Sequence, residues 1–465
     1  MKSTTLRFLA FLCALCAFAS NSASVAAPPN IVIFLADDLG WADVPWHGST
    51  YKLPHLDKLA NESVKLEAFY VHPMCSPTRA ALMTGRYASR FGVTAAQNPR
   101  ALPWNTVTLA RALKSAGYET CLTGKWHLGS KPDEGPQKFG FDHGYGSLAG
   151  GVTPDTHLYK DGPFQRTWHR NGQLVEEEGH VTDLIAREAV RWLEQRGDKP
   201  FFLYVPFTAI HVPMQEAEKW QRMNAHLADP AQRLRAACAS HMDDAIGQVL
   251  AALDRKRVRD NTVVIFFGDN GAHPPGENQG GAYHGDFGKL RVGNDNKPWR
   301  GHKTEVYEGG IRVPGLVSLF GKLKPAEVYA PLHVVDWMPT LCALAGVKLE
   351  GDLKWDGLNF WPLVAQQEVN WPVRTLYSAA PGFRAQMVRH GDWKLVVTGG
   401  VDQRPNEQKA NAGKAAPQPA EELFHLATDP GETKNLAREQ PEMLAEMKRR
   451  LAAISARDKD AVAND

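Results

Sequence analysis

Pro29-Asn30-Ile31-Val32-Ile33-Phe34-Leu35-Ala36-Asp37-Asp38 is an unbroken apolar run closed by two adjacent carboxylates. Continuous rather than alternating hydrophobicity suits a strand covered on both faces, as in a parallel sheet. Similar runs recur at Phe201 to Phe207 and at Thr262 to Phe267, the latter ending in Gly268-Asp269-Asn270. Between them the spacing predicts helices over Pro77–Met83, Thr106–Ala116, Thr182–Gln195 and Leu234–Leu253. Pro77 falls in a first helical turn, where its missing N–H costs nothing, and Gly117 is an ordinary stop signal. Strands alternating with helices predict an α/β fold with a large, mostly parallel sheet flanked by helices. Polar residues stand just past the carboxyl ends of these strands, where open α/β sheets place their ligands.

With 465 residues, 43% hydrophobic and 22% charged, the chain has the balance of a globular protein large enough to need no disulfide scaffold. Its beginning reads as an export signal: Lys2 and Arg7, then an apolar run from Phe8 to Ala19, then small residues up to Ala27. That run is shorter than the roughly 20 residues a bilayer crossing needs. The expected layout is a signal peptide over 1–27, a catalytic α/β domain over 28–345 and a C-terminal subdomain over 346–465. The destination is the periplasm or the extracellular space, with no membrane attachment after cleavage. Without Lys2 and Arg7 the formal charge becomes (53 − 2) − 51 = 0, so no broad nucleic-acid-binding face is expected. Cys75, Cys121, Cys238 and Cys342 remain; if Cys75 is consumed chemically, the other three allow at most one bridge.

After about Gly346 the texture changes to short β-type pieces at Arg374–Ser378, Ala385–Arg389 and Trp393–Val397. A polar low-complexity loop over Gly399–Ala420 and a helix over Pro441–Ser455 complete a smaller α+β unit.

Cys75-Ser76-Pro77-Thr78-Arg79 puts a thiol at a helix N-terminus, where the dipole favours the thiolate. That alone fits either a nucleophile or a buried structural cysteine. Asp37-Asp38 and Asp269-Asn270 are hard oxygen ligands of the kind that suits calcium or magnesium, although either pair alone would more often be a turn or a helix cap. In Gly124-Lys125-Trp126-His127, an extended backbone would point Lys125 and His127 to one face. His211 follows the strand ending at Phe207. Arg300-Gly301-His302-Lys303 offers a compact cation for an oxyanion, with glycine allowing close backbone approach. His302, Glu305 and Glu308 read as structural or loop residues.

Cys-x-Pro-Thr-Arg followed by Thr84-Gly85 resembles the signature of the formylglycine-dependent (type I) sulfatases. Thr78 stands where serine is commoner. Gly124-Lys125-Trp126-His127-Leu128-Gly129, Ile210-His211-Val212-Pro213 and Glu308-Gly309-Gly310-Ile311-Arg312-Val313-Pro314 extend the likeness. It continues through Asp392-Trp393-Lys394-Leu395 and Glu422-Leu423-Phe424-His425-Leu426 to about Leu436, and looks most like the arylsulfatase and N-acetylgalactosamine-4-sulfatase branch. The resemblance implies an alkaline-phosphatase-like fold whose small C-terminal part carries an antiparallel sheet. It implies oxidation of Cys75 to 3-oxoalanine (formylglycine) by a maturation enzyme, and calcium held by Asp37, Asp38, Asp269, Asn270 and an oxygen of residue 75. Lys125 and Lys303 would hold sulfate oxygens, Arg79 would brace the hydrated aldehyde, and His127 would assist it. His211 would protonate the leaving oxygen.

The implied substrates are sulfated carbohydrates, such as glycosaminoglycan-derived oligosaccharides, or aryl sulfates. Segments Ala272–Trp299, Asn98–Trp104 and Gly150–His169 are expected to shape the substrate rim. Two rivals share this pattern in part. A phosphatase of the same fold would rely on zinc, and a binding protein would capture sulfated glycans without turnover.

Overall fold

The computed structural model describes residues 27–278, 283–294, 296–367, 370–404, 418–463 and 465. Of the segment expected to be a signal peptide, residues 1–26 lie outside this range, as does much of the polar segment within 399–420.

The opening apolar run forms the strand Asn30–Ala36, buried along its whole length. Its side chains divide between two cores. Ile31, Ile33 and Leu35 face one hydrophobic cluster, and Val32, Phe34 and Ala36 the other. A strand needing apolar residues at every position is therefore central, with helices on both sides. It pairs in parallel with Phe201–Pro206 on one side and Thr262–Gly268 on the other. Glu119–Thr123 and His143–Ser147 continue the parallel set. The full ten-stranded sheet runs from one edge as Ala326–Val328, Val64–Leu66, Gly315–Leu319, Thr262–Gly268, Asn30–Ala36, Phe201–Pro206, Glu119–Thr123, His143–Ser147, Trp168–Arg170 and Gln173–Leu174. Gly315–Leu319 is antiparallel to its central neighbour, and Trp168–Arg170 is antiparallel to His143–Ser147. The architecture is alkaline-phosphatase-like, a large mixed sheet flanked by helices with a smaller sheet behind it.

That smaller sheet is antiparallel: Thr375–Ala379, Ala385–His390, Trp393–Thr398 and Ala420–His425. The last strand was not expected as a strand, because its Glu421-Glu422 start masks a short apolar end. The helix Pro441–Ser455 lies where the periodicity put it. Leu395, Leu423, Met447 and Leu451 share one hydrophobic cluster with Ile31 and Ile33, so this part packs directly on the main sheet's core.

Helix boundaries shift for local reasons. The helix expected from Thr106 runs Leu109–Ser115, because Thr108 is its N-cap and accepts the Arg111 N–H. The long helix extends to Pro230–Arg255, with Asp229 as cap and Pro230 in the first turn. Cys75–Thr84 is a helix buried at every position and closed by Gly85 in the left-handed region, at φ 67°. All four cysteines among the described residues are free and buried, so no bridge forms.

Candidate active site

Four neighbouring parallel strands finish on one edge of the sheet. Ala36 leads into Asp37 and Asp38, Gly268 into Asp269 and Asn270, Thr123 into Lys125 and His127, and Pro206 into His211. Chain segments far apart in sequence thus deliver polar groups to one place. Backbone bonds tie these ends together: Asp37 N–H donates to the Ala209 carbonyl, Asp269 N–H to Ala36, and Lys125 N–H to Pro206.

At this edge Lys125 Nζ lies 2.5 Å from Asp37 Oδ2, and Lys303 Nζ lies 2.7 Å from Asp38 Oδ1. Arg79, wholly buried, donates to Asp269 Oδ2 from Nε at 3.2 Å and from Nη2 at 2.8 Å, and to the Lys125 carbonyl at 2.6 Å. It therefore acts on the site by holding those two groups. The second Asp269 oxygen accepts the Asp38 N–H at 3.2 Å. Asn270 Nδ2 donates to Asp38 Oδ1 at 2.8 Å.

The charges explain one another. Burial alone would raise the Asp38 carboxyl, yet Lys303, His211 and His273 together hold it well below the usual range. Asp37 is likewise lowered, against burial, chiefly by Lys125. Burial and the neighbouring Asp37 push Asp269 up to about 6. Burial lowers His211 to about 4, helped by Lys303. His127 is held well below its ordinary value by burial and the Lys125 and Arg79 cations, so its ring is neutral.

Cys75 is the first residue of its helix, 2% exposed, and its charge couples to Lys125, Lys303, Asp37 and Asp269. The expected thiolate is not found. Burial raises the thiol's pKa by more than the lysines lower it, so the helix N-terminus does not decide its state. The extended backbone expected around Lys125 is also absent, since Gly124 has φ +136° and His127 φ +58°. A Cβ at Gly124 would stand 1.9 Å from the Pro206 carbonyl oxygen, so only glycine fits. Lys125 and His127 reach one pocket through this turn instead.

Among the described residues, Asp37 Oδ1, Asn270 Oδ1 and both His127 ring nitrogens are buried without a hydrogen-bond partner. Carboxylate and amide oxygens turned inward are the hard donors that suit calcium or magnesium. Asp37, Asp38 and His211 also offer atoms within 4.8 Å of one another. The donor set therefore fits a divalent cation. All the residues expected from sequence meet here, namely Asp37, Asp38, Cys75, Arg79, Lys125, His127, His211, Asp269, Asn270 and Lys303.

A sulfatase profile matches residues 29–347. The chain belongs to the sulfatase family. It is 34% identical to arylsulfatase J of Mus musculus over 377 residues, covering 78% of this chain and 60% of that protein. It is 30% identical to N-acetylgalactosamine-6-sulfatase of Rattus norvegicus over 448 residues, covering 88% and 82%. Among solved structures, Ps i-CgsB in complex with k-i-k-neocarrahexaose superposes with a TM-score of 0.79 at 29% identity, covering 94% of this chain and 95% of that one. The PsFucS1 sulfatase from Pseudoalteromonas sp. gives 0.72 at 25% identity, covering 94% and 92%.

Other residues that the sequence did not single out adjoin the same site. Arg235, fully buried in the long helix, donates to the Asp38 carbonyl at 2.9 Å and to Asp43 Oδ2 at 2.5 Å. An arginine inside the apolar stretch Leu234–Ala239 was the available signal. Tyr159 and Tyr283 wall the pocket; they fall in the segments expected to form its rim. Glu308 is structural, as expected, and accepts from Tyr70 and Lys394.

Proposed function

We propose that this sulfatase hydrolyses sulfate esters of carbohydrates or aryl alcohols, with residue 75 matured to formylglycine and calcium held by Asp37, Asp38, Asp269, Asn270 and residue 75. One observation carries the reading: a buried cysteine lies among two lysines, two histidines and inward-turned hard oxygens at a single strand edge. As encoded, that thiol is neutral and a poor ligand for a hard cation, which favours its conversion to an oxygen nucleophile.

The bound cation would supply Lewis-acid stabilisation of the sulfuryl oxygens. The chain's own residues supply the rest. Lys125 and Lys303 stay protonated beside Asp37 and Asp38 and present charge to the sulfate oxygens, usually the largest contribution to such catalysis. Arg79 fixes Asp269 and the Lys125 backbone, so those groups do not need to reorganise. His127, neutral and without a partner for either nitrogen among the described residues, can take a proton from residue 75. The His211 Nδ1–H donates to the Val212 carbonyl, so Nε2, 3.7 Å from Asp38 Oδ2, must first take up a proton before it passes one to the leaving oxygen. Positioned proton transfer of this kind contributes about 10²–10⁴-fold.

The family relatives act on sulfated sugars and aryl sulfates, as their names state, which supports a sulfated oligosaccharide here. The basic, apolar and small-residue succession from Lys2 to Ala27 supports export, and no described helix is long and apolar enough to cross a membrane. The test is mass spectrometry of the tryptic peptide containing residue 75, with sulfate release assayed on the same sample. Aldehyde at residue 75 with turnover is expected. Full desulfation by protein that keeps an unmodified thiol would overturn the reading.

A further inference from the structure

The wall of the pocket beside His127 and His211 is bare backbone backed by two tyrosines. A Cβ at Gly150 would meet Tyr159 Cε2 at 3.0 Å and His127 Cε1 at 3.2 Å. One at Gly151 would stand 2.6 Å from His211 Nδ1. Tyr283 donates its hydroxyl to the Gly151 carbonyl at 2.9 Å, and its ring meets Tyr159 edge-on with centroids 6.1 Å apart. Glycines therefore let this wall close on both histidines, and the tyrosines hold it there. Lys160 follows directly, its ammonium 5.5 Å from the Tyr283 ring centroid.

Lys160 differs from the other lysines of the site. Lys125 and Lys303 each neutralise an aspartate, whereas Lys160 has no carboxylate partner among the described residues. Burial lowers its pKa, and the charges of Lys303 and Lys125 lower it further. A half-buried cation facing two like charges is short of an anion. One sulfate ester is already served by Lys125 and Lys303, so the surplus lies one step further out, over Tyr283.

We propose that Lys160, seated over Tyr283, forms a second anion subsite that selects substrates carrying another sulfate or carboxylate near the scissile ester. This rests on the sulfate-ester hydrolysis proposed above and adds to it a substrate class: polyanionic sugars rather than singly sulfated neutral ones. A charge-assisted contact of this kind contributes roughly 10- to 100-fold in affinity.

The experiment measures kcat and KM of matured enzyme on three disaccharides: one singly sulfated and otherwise neutral, one disulfated, and one singly sulfated with a uronic acid. Wild type is expected to favour one or both doubly anionic sugars, mainly through KM, with a preference that shrinks as salt is added. Which of the two is preferred tells sulfate from carboxylate. Lys160→Met, which keeps the stem and removes the charge, should reduce the preference about tenfold or more, and Lys160→Arg should retain most of it. No preference in wild type, or an unchanged preference in Lys160→Met, overturns the subsite while leaving the sulfatase reading intact. If matured wild type releases sulfate from none of the three sugars nor from an aryl sulfate, the function proposed above fails and the subsite with it.

Discussion

The guanidinium of Arg79 grips Asp269 twice, at 3.2 and 2.8 Å, with both side chains almost wholly removed from solvent. The first comes from the helix that carries Cys75, the second from the strand end that carries Asn270. This pair is the cross-brace between the Cys75 helix and the strand end that carries Asp269 and Asn270.

Removing one member of a buried ion pair leaves the other charge uncompensated, which typically costs about 3–5 kcal/mol. Arg79→Met should therefore lower stability by that order, read as a reduced urea midpoint. Asp269 should then bind its proton more tightly, since the cation opposing its burial is gone. A stability change below about 0.5 kcal/mol would show that the brace is not holding the site.

Metal removal tests the inward-turned oxygens. Asp37 Oδ1 and Asn270 Oδ1 have no partner among the described residues, so a chelator selective for calcium should cost at least about 100-fold in sulfate-ester turnover. Calcium should restore it and zinc should not, because the donors are oxygen throughout. A panel of sulfate and phosphate esters run alongside separates this chemistry from that of a zinc phosphatase. Recovery with zinc alone, or phosphate turnover exceeding sulfate turnover, would count against calcium sulfatase chemistry.

Much of this site was legible because its residues sit at strand ends, and strands such as Ile31–Ala36 and Val263–Phe267 declare themselves by continuous apolarity. Asp37, Asp38, Asp269 and Asn270 follow those runs directly. The state of Cys75 was not legible, because a helix N-terminus is a local feature while burial of the whole helix is a tertiary one. Nor was the turn at Gly124, whose φ answers to the Pro206 carbonyl at the end of a different strand. Arg235 and Lys160 escaped notice for the same reason: a lone cation in a helix or loop acquires meaning only from what folds against it.

pH dependence of stability should come in part from His241. Its Nδ1 lies 2.9 Å from Glu216 and its Nε2 3.0 Å from Asp183, with Trp220 stacked on the ring and His180 tilted against it. Burial opposes the charged ring, but the hydrogen bonds to the two carboxylates outweigh it and raise the pKa to about 9. The folded value exceeds the unfolded one, near 6.5, so the stabilisation is fully present below about pH 6.5 and is lost as pH rises through about 9. Up to roughly 3 kcal/mol is at stake. Thermal unfolding of wild type should fall across that window, while His241→Gln should be flatter there and less stable at about pH 6. Parallel curves for the two proteins would assign the loss to other groups.

Replacing Cys75 by serine isolates what the proposed modification contributes. The serine hydroxyl has nearly the shape of the thiol and lies among the same lysines, so it can attack a sulfate ester and expel the alcohol. Its oxygen then carries the sulfuryl group, with no second hydroxyl on the same carbon to eliminate it, and release must wait for water in a pocket where Cys75 is only 2% exposed. Cys75→Ser protein mixed with an aryl sulfate should give at most one equivalent of the phenol and then stall. Its residue-75 peptide should become heavier by one sulfuryl group. Steady turnover by this variant at the wild-type rate would remove the need for an aldehyde at position 75, and with it the mechanism.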